Sequence, residues 1–278
     1  MIGNVTPPAD RWRRGWLACL LLTAIVAAGF VVGRGLRSEA AQIPVPVVSA
    51  YPSAPILETT VAPAMPPATS AAPDPTLLRL PGAVPAHGSG AFAYATPRGP
   101  VLGTAGPVRR FRVAVERGSN EDVAAFAAQV TATLGDRRSW IGGGQVRLRM
   151  VSGAEPADFT VYLATRDTAG RMCRRSGTNI RIGGVPYTSC RATGMAIVNL
   201  DRWRLSSNPY LSAKVPLAVY RQYVINHEVG HELGHRHEGC PRAGGPAPVM
   251  VQQTLTTRGC TPYPWPRLGD RFLVGPPV

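Results

Sequence analysis

Proline is distributed unevenly along this chain, and its distribution limits which part can fold. Half of the 28 prolines lie between residues 40 and 107, among many alanine, serine and threonine residues. Such a segment buries too little apolar surface to offset the entropy of ordering it. We therefore expect residues 34–106 to form an extended Pro/Ala-rich linker. Residues 107–278 are then the folded domain, which is long enough for a substantial core.

An uncharged apolar run occupies residues 15–33. A helix over this run would span about 28 Å, which matches the hydrocarbon core of a bilayer. The arginines that precede it favour a short cytoplasmic N-terminus at residues 1–14 and a single-pass signal anchor, with the rest of the chain outside the cell membrane. Cleavage near Ala40 and Ala41 is the alternative, and it would give a secreted protein.

The chain is strongly basic, with 30 Lys and Arg residues against 16 Asp and Glu residues and a net charge of +14. A surface of this sign attracts anionic partners such as lipid headgroups, acidic wall polymers or acidic peptides. No nucleic-acid-binding motif accompanies the charge, so we expect no specific nucleic-acid partner. A simply solvated arginine-rich surface is the alternative interpretation.

Four cysteines lie in the predicted domain: Cys173, Cys190, Cys240 and Cys260. An even number in an exported domain predicts two disulfides, for which three pairings are possible. Pairing neighbours along the chain joins Cys173 to Cys190 and Cys240 to Cys260. A four-cysteine zinc site is disfavoured because no two of them have the short C-x-x-C spacing.

Periodicity predicts an α+β domain. Alternating or continuous apolar runs indicate strands at residues 108–115, 145–151, 158–164 and 195–200. Residues from Glu121 carry an apolar stripe at helical spacing, with Ser119 or Asn120 as the cap and Gly135 as the stop. A longer helix begins at about Val215.

The sequence HEVGHELGHRH, which begins at His227, contains most of the chemistry that can be identified in the chain. On a helix, His227 and His231 lie one turn apart on the same face and reach one metal ion. His235 would lie about 12 Å along an unbroken helix from His227, too far for a shared ion. Gly234 can adopt the left-handed conformation that ends a helix, and the chain then returns His237 as the third ligand.

Three protein ligands around zinc leave one coordination position open, as catalysis requires. Glu228 is placed to act as the base for water activated by the metal, and later to protonate the leaving amine. We therefore expect one catalytic Zn²⁺ and amide-bond hydrolysis. A bare HExxH is also found on charged surface helices, but Gly234 and His237 argue against that interpretation here.

The same residues resemble the signature HExxHxxGxxH of the metzincin clan of zinc metallopeptidases, at every defined position. The sequence APVM at residues 247–250 resembles the metzincin Met-turn, with Met250 beneath the metal. Together with the run PVMVQQT, it also resembles an uncharacterised family of exported actinobacterial proteins. The resemblance implies a metzincin-like zincin domain with a mixed twisted sheet, an active-site helix and an irregular C-terminal subdomain. It further implies an extended substrate antiparallel to an edge strand, for which residues 195–200 are the candidate.

Some positions depart from the metzincin pattern. Several metzincins have a tyrosine two residues after the Met-turn methionine, and this chain has Gln252 there. Tyr263 is a candidate replacement, although an ordinary loop tyrosine explains it as well. Glu238 follows the third histidine, where some metzincins have a residue that organises the site. A bridge between Cys240 and Cys260 would enclose the Met-turn and hold it in place.

The function predicted from the sequence is therefore a membrane-anchored extracellular zinc endopeptidase that acts on peptide or protein substrates. A catalytically silent envelope-binding module with structural zinc is one alternative. A zinc amidase that acts on wall peptides is another.

Overall fold

The computed structural model describes residues 74–278 of the chain. The predicted cytoplasmic N-terminus (1–14), the predicted anchor (15–33) and the first part of the predicted linker lie outside the described residues. Between residues 74 and 278, no helix combines the length and the hydropathy that crossing a bilayer requires.

Five α-helices, one short 3-10 helix (Trp140–Gly143) and eleven short or medium strands form the described part. The helices are α1 (Val123–Gly135), α2 (Arg166–Arg175), α3 (Leu200–Leu205), α4 (Asn208–Ser212) and α5 (Leu217–Glu232). The strands are β1 (Phe92–Tyr94), β2 (Val101–Leu102), β3 (Val108–Glu116), β4 (Arg147–Met150), β5 (Phe159–Ala164), β6 (Arg181–Ile182), β7 (Val185–Pro186), β8 (Cys190–Ala192), β9 (Met195–Asn199), β10 (Arg267–Leu268) and β11 (Arg271–Phe272). The domain is therefore α+β, as the periodicity predicts.

A mixed seven-stranded sheet forms the centre of the domain. Its order is β2-β4-β3-β5-β9-β8, and β1 pairs with the C-terminal half of β3. Strands β4, β3, β5 and β9 run parallel to one another. Strands β1, β2 and β8 run antiparallel to their neighbours. The predicted mixed sheet is confirmed.

Side chains alternate between the two faces of this sheet. Val113, Val161 and Val198 belong to the main core, which α1 and α5 cover. Ile197 and Ala164 belong to a smaller core on the opposite face, under α2. Helix α5, which carries His227 and His231, thus packs on the larger core, where burial of apolar side chains stabilises its position.

The linker prediction is wrong over its described part. Strands β1 and β2 lie inside residues 34–106 and join the sheet through β3 and β4. Ala95 is 3% exposed, and the backbone amide of Leu80 donates to the carbonyl of Arg204. Composition gave the wrong answer because these strands are only two or three residues long, so they leave no periodic signal among the prolines.

The longer elements agree with their predictions to within a few residues, but the first helix begins later than expected. Asp122, rather than Ser119 or Asn120, caps α1, because its carboxylate accepts a 2.7 Å hydrogen bond from the amide of Ala125. Asp122 has the extended backbone of an N-cap residue, with φ −83° and ψ 130°.

Both predicted disulfides are present, and of the three possible pairings the chain has the one that joins successive cysteines. Cys173 on α2 is bonded to Cys190 on β8, and Cys240 is bonded to Cys260. After α5 the chain is mostly irregular, and within the described residues only the two-residue strands β10 and β11 interrupt it.

A candidate metal centre and its cleft

Helix α5 carries the first two histidines and the glutamate into the interior. His227 and Glu228 are each only 5% exposed. The preceding residue, Asn226, fixes this part of the helix: its carbonyl accepts a hydrogen bond from Trp140, and its side-chain amide donates to Pro264. Because these contacts are buried, the helix has little freedom to rotate about its axis.

The end of α5 turns the third histidine back towards the first two. Gly234 has φ +99°, a conformation that favours glycine. The amide of His235 donates to the carbonyl of Gly230, and the amide of Gly234 donates to the carbonyl of His231. These two bonds form a Schellman motif, which ends the helix and reverses the chain. Three residues after Gly234, His237 Nε2 lies 3.0 Å from His231 Nε2.

Three histidines, His227, His231 and His237, form a group that could hold a metal ion. One nitrogen from each lies within 4.8 Å of the others. Nitrogens that share a tetrahedral zinc at about 2.0 Å are separated by about 3.4 Å, which is comparable with this spacing.

Main-chain carbonyls orient two of these imidazoles. His227 Nδ1 lies 2.8 Å from the carbonyl oxygen of Val249, and His231 Nδ1 lies 2.8 Å from that of His235. A carbonyl can only accept, so each Nδ1 carries the proton and each Nε2 presents a lone pair. His235 therefore contributes through its backbone, while its ring stacks on Trp140 with 4.2 Å between the ring centroids.

Burial keeps the three imidazoles neutral. It lowers the pKa of His227 well below its ordinary value and lowers that of His231, and neighbouring imidazoles act in the same direction on His227. Burial, together with His231 and Arg258, lowers the pKa of His237 to about 4. Neutral imidazole is the form that binds a metal, so the group is in the right protonation state near neutral pH.

The carboxyl group of Glu228 lies beside the histidines in an apolar environment. Burial raises the pKa of Glu228 to about 8. Its side chain lines the same cleft as the three imidazoles. Within the described residues no hydrogen bond or ion pair engages this carboxyl group, so it is available to a molecule bound in the cleft. A carboxyl group tuned in this way is typical of general acid–base sites.

Met250 lies in a tight turn beneath the helix. The amide of Val251 donates to the carbonyl of Pro248, and Met250 is 2% exposed. A Cβ atom at Gly230 would lie 2.7 Å from the Met250 sulfur and 2.5 Å from Cζ2 of Trp140. The helix, the turn and the indole ring therefore pack closely, and only glycine fits between them.

A cluster of buried tyrosines supports the same turn from the other side. Tyr223 donates a 3.0 Å hydrogen bond to the carbonyl of Val251, and Tyr220 is within 2.9 Å of the Thr254 hydroxyl. Tyr210 donates to the side-chain oxygen of Gln253, which is fully buried. The turn that holds the carbonyl of Val249 against His227 is thus fixed on several sides.

The three histidines and Glu228 open into a cleft of about 340 Å³. One wall is formed by residues 178–182 and by Cys190 and Arg191 of β8, and another by the segment around Gln252. Tyr263 is not among the lining residues, because its hydroxyl donates to the carbonyl of Arg267. Glu238 also points elsewhere and accepts a hydrogen bond from the amide of Gly275.

The prediction that residues 195–200 form the edge strand is wrong. Residues 195–199 form β9, which pairs with β5 on one side and β8 on the other. Strand β8 is the true edge and lies next to the cleft. Its three residues were too few to predict a strand from periodicity, so the longer β9 gave the stronger signal.

Sequence reasoning missed the supporting residues: Trp140, Asn226, Gly230, Val249 and Tyr223. Most act through packing or through the backbone, which leaves no motif. Only Gly230 carried a usable signal, since a glycine within a helix is unfavourable unless close packing requires it.

Comparison with known proteins gives a family for most of the domain. No curated protein and no solved structure matches this chain. One family's sequence model matches residues 79–263, which is more than half of the chain and begins inside the predicted linker. The match includes β1 and β2 as well as the histidines, Glu228 and Met250. The chain therefore belongs to the family described as "Protein of unknown function (DUF3152)".

Proposed function

We propose that this protein is a zinc-dependent peptidase of metzincin type. The observation that carries the proposal is the convergence of three neutral imidazoles and one partner-free buried carboxyl group in a single cleft. A histidine cluster that served only packing would not need Glu228 at the cleft, where burying its charge is costly.

The donor set fits zinc. His227 and His231 hold Nδ1 against main-chain carbonyls, so their Nε2 lone pairs are directed to one point together with His237. In the described residues the group has three members, and a structural zinc site has four protein ligands. His231 Nε2, which presents a lone pair, lies 3.0 Å from His237 Nε2, and a cation shared by the two nitrogens would replace this contact.

Each residue has a role in the proposed hydrolysis. His227, His231 and His237 would hold the zinc, which when bound polarises a carbonyl and makes water acidic near neutral pH. Burial keeps Glu228 protonated at neutral pH, but the positive charge of bound zinc would lower its pKa, so that the carboxylate could accept a proton from water in the cleft and deliver it to the leaving amine. The outer edge of β8 offers main-chain groups to an extended peptide, which would place one of its carbonyls beside Glu228.

We further propose that the domain acts outside the cell. Two disulfides are typical of proteins that leave a reducing compartment. The apolar run at residues 15–33 would serve as a membrane anchor, or as a cleaved signal in a secreted form.

The test uses the full-length protein in a non-ionic detergent. Wild-type protein is expected to bind one equivalent of zinc and to cleave members of a peptide library, with cleavage sites identified by mass spectrometry. Glu228→Gln is expected to keep the zinc and to lose at least about 10²-fold in kcat, because the proton acceptor is gone.

Asp270→Asn is the matched control. Asp270 is an exposed carboxylate without hydrogen bonds or ion pairs in the described part of the chain, so this variant should retain wild-type turnover. Equal turnover by wild type and Glu228→Gln would overturn the role of Glu228. Stoichiometric zinc without cleavage of any peptide would favour a silent envelope-binding module, and cleavage restricted to wall peptides would favour an amidase.

A further inference from the structure

One face of the sheet carries four arginines that the proposed hydrolysis does not use. Arg110 and Arg112 lie on β3, and Arg147 and Arg149 lie on β4. They alternate with Phe111, Leu148 and Met150, which are buried in the main core, so the arginines point away from that core. We call these four residues the arginine face. It lies on the opposite side of the sheet from α5.

The strand register brings like charges together on this face. Arg110 is paired directly with Arg149 in the parallel ladder. Arg112 lies two residues after Arg110 on β3, and Arg147 lies two residues before Arg149 on β4. Like charges directly opposite each other destabilise a sheet. An anion placed between the guanidinium groups would relieve this repulsion.

The protein provides no such anion within the described residues. None of the ion pairs between residues 74 and 278 involves an arginine of this face. The nearby carboxylates have other partners: Glu155 pairs with Arg98, and Asp158 pairs with Arg109 and accepts a hydrogen bond from the backbone amide of Arg110.

Backbone contacts hold three of the four side chains in place. Arg147 and Arg149 donate through Nε to the carbonyls of Gly106 and Gly99, and Arg112 donates through Nη1 to the carbonyl of Gly153. Arg147 and Arg149 therefore keep both terminal nitrogens free for a ligand. Because the side chains are already ordered, binding costs little additional side-chain entropy.

We propose that the arginine face binds a linear polymer of phosphate diesters that carries no bases, with poly(glycerol phosphate) as the representative chemistry. Guanidinium groups bind phosphate oxygens in a bidentate manner. Alternate residues along a strand are separated by about 6.6 Å. Phosphates linked by a three-carbon unit repeat at a similar distance, so successive phosphates can follow Arg147, the Arg110 and Arg149 pair, and Arg112.

The aromatic residues next to this face argue against a base-bearing polymer. Single-stranded nucleic acids bind through exposed rings on which bases stack. Here Tyr94 and Phe92 each contact Tyr162 edge to face, with centroid distances of 6.5 Å and 4.9 Å, and Arg112 lies over the Tyr94 ring. These rings are occupied by one another and leave the phosphates as the main source of affinity.

The proposal is independent of the peptidase activity, because α5 packs on the other face and none of the four arginines lines the cleft. A polymer bound here would leave the cleft open and would hold the domain against an anionic envelope.

The test measures binding of fluorescent poly(glycerol phosphate) to the full-length protein in non-ionic detergent, as a function of salt. The double variant Arg110→Gln/Arg149→Gln is expected to bind roughly tenfold more weakly. A plot of the logarithm of its association constant against log[salt] should be less steep by about 1.4, since two phosphate contacts are lost. The single variant Arg110→Gln provides a second measurement in which folding is undisturbed, because its guanidinium has no partner among the described residues.

The matched control is Arg174→Gln/Arg175→Gln, which removes the same charge from exposed positions on α2. It should retain wild-type affinity. Equal losses in the two double variants would overturn the proposal in favour of a general effect of net charge. Tighter binding of an oligodeoxythymidylate with the same number of phosphates would overturn the choice of polymer.

Discussion

At the scale of single residues, the site depends on small residues and backbone atoms as much as on its histidines. Gly230 brings α5 within contact of Trp140 and Met250. The carbonyls of Val249 and His235 orient two imidazoles. These features involve no charged side chain, yet they determine where the three nitrogens meet.

Gly230→Ala should destabilise the domain and weaken metal binding. The added methyl group would lie 2.5 Å from the Trp140 ring and 2.7 Å from the Met250 sulfur, so the helix, the ring or the turn must move. We expect the free energy of unfolding in urea to fall by about 2 kcal/mol. Gly99→Ala is the control, because its methyl group would make an ordinary 3.4 Å contact. Equal stability of the two variants would contradict this account.

Gly234→Ala tests the turn that returns His237. Space is open around Gly234, but its φ of +99° is strained for a residue with a Cβ atom. We expect a loss of about 1–2 kcal/mol in stability and weaker zinc affinity by isothermal titration calorimetry. Gly234→Asn should lose less, since asparagine tolerates left-handed conformations better. A larger loss for asparagine than for alanine would show that the backbone conformation is not the cause.

At the scale of secondary-structure elements, a buried glutamate joins a strand, a helix and the segment that precedes another strand. Glu116 at the end of β3 is 1% exposed. Its carboxylate accepts hydrogen bonds from the amides of Gly90 and Thr165 and from the hydroxyls of Thr165 and Thr168. It therefore fixes the segment before β1 and the start of α2 to the sheet.

Glu116→Ala should lower the free energy of unfolding by about 3 kcal/mol, because several buried donors lose their acceptor at once. Glu116→Gln keeps the shape and one acceptor oxygen, so we expect a smaller loss. Urea denaturation of both variants checks the order. If alanine is tolerated as well as glutamine, the hydrogen bonds to this carboxylate contribute little.

The elements that could be predicted from the sequence are the long ones. Strands β3, β5 and β9 and helix α5 carry enough apolar residues for periodicity to identify them, and the motif spacing alone placed His227, His231 and His237 in one cluster. Strands β1, β2 and β8 are too short for that signal. Long-range contacts such as Trp140 to Asn226 and Tyr223 to Val251 join residues far apart in sequence, so no local pattern could identify them.

At the scale of the whole molecule, the folded unit begins earlier than composition indicates. Residues from the predicted linker supply two strands, a buried alanine and backbone hydrogen bonds, including one from the amide of Leu217 at the start of α5 to the carbonyl of Leu77. The domain that carries the cleft therefore includes residues well before position 107.

Truncation tests this boundary. A fragment of residues 107–278 would lack β1, β2 and the amide of Gly90, which donates a hydrogen bond to Glu116. A fragment of residues 74–278 retains all three. We expect the shorter fragment to unfold at a temperature lower by more than 10 °C in calorimetry, because exposed core and unpaired strand edges both destabilise it. Equal melting temperatures would show that the residues before position 107 do not contribute to the stability of the domain.

The carbonyls that orient His227 and His231 have a consequence for how this family can change over time. A carbonyl group is present whatever side chain its residue carries, so most substitutions at positions 249 and 235 leave the acceptor in place. The path of the backbone is constrained instead, by Gly230, Gly234 and the hydrogen bond from Tyr223. Related chains should therefore keep the glycines and the tyrosine that shape the main chain more strictly than the side chains at positions 249 and 235.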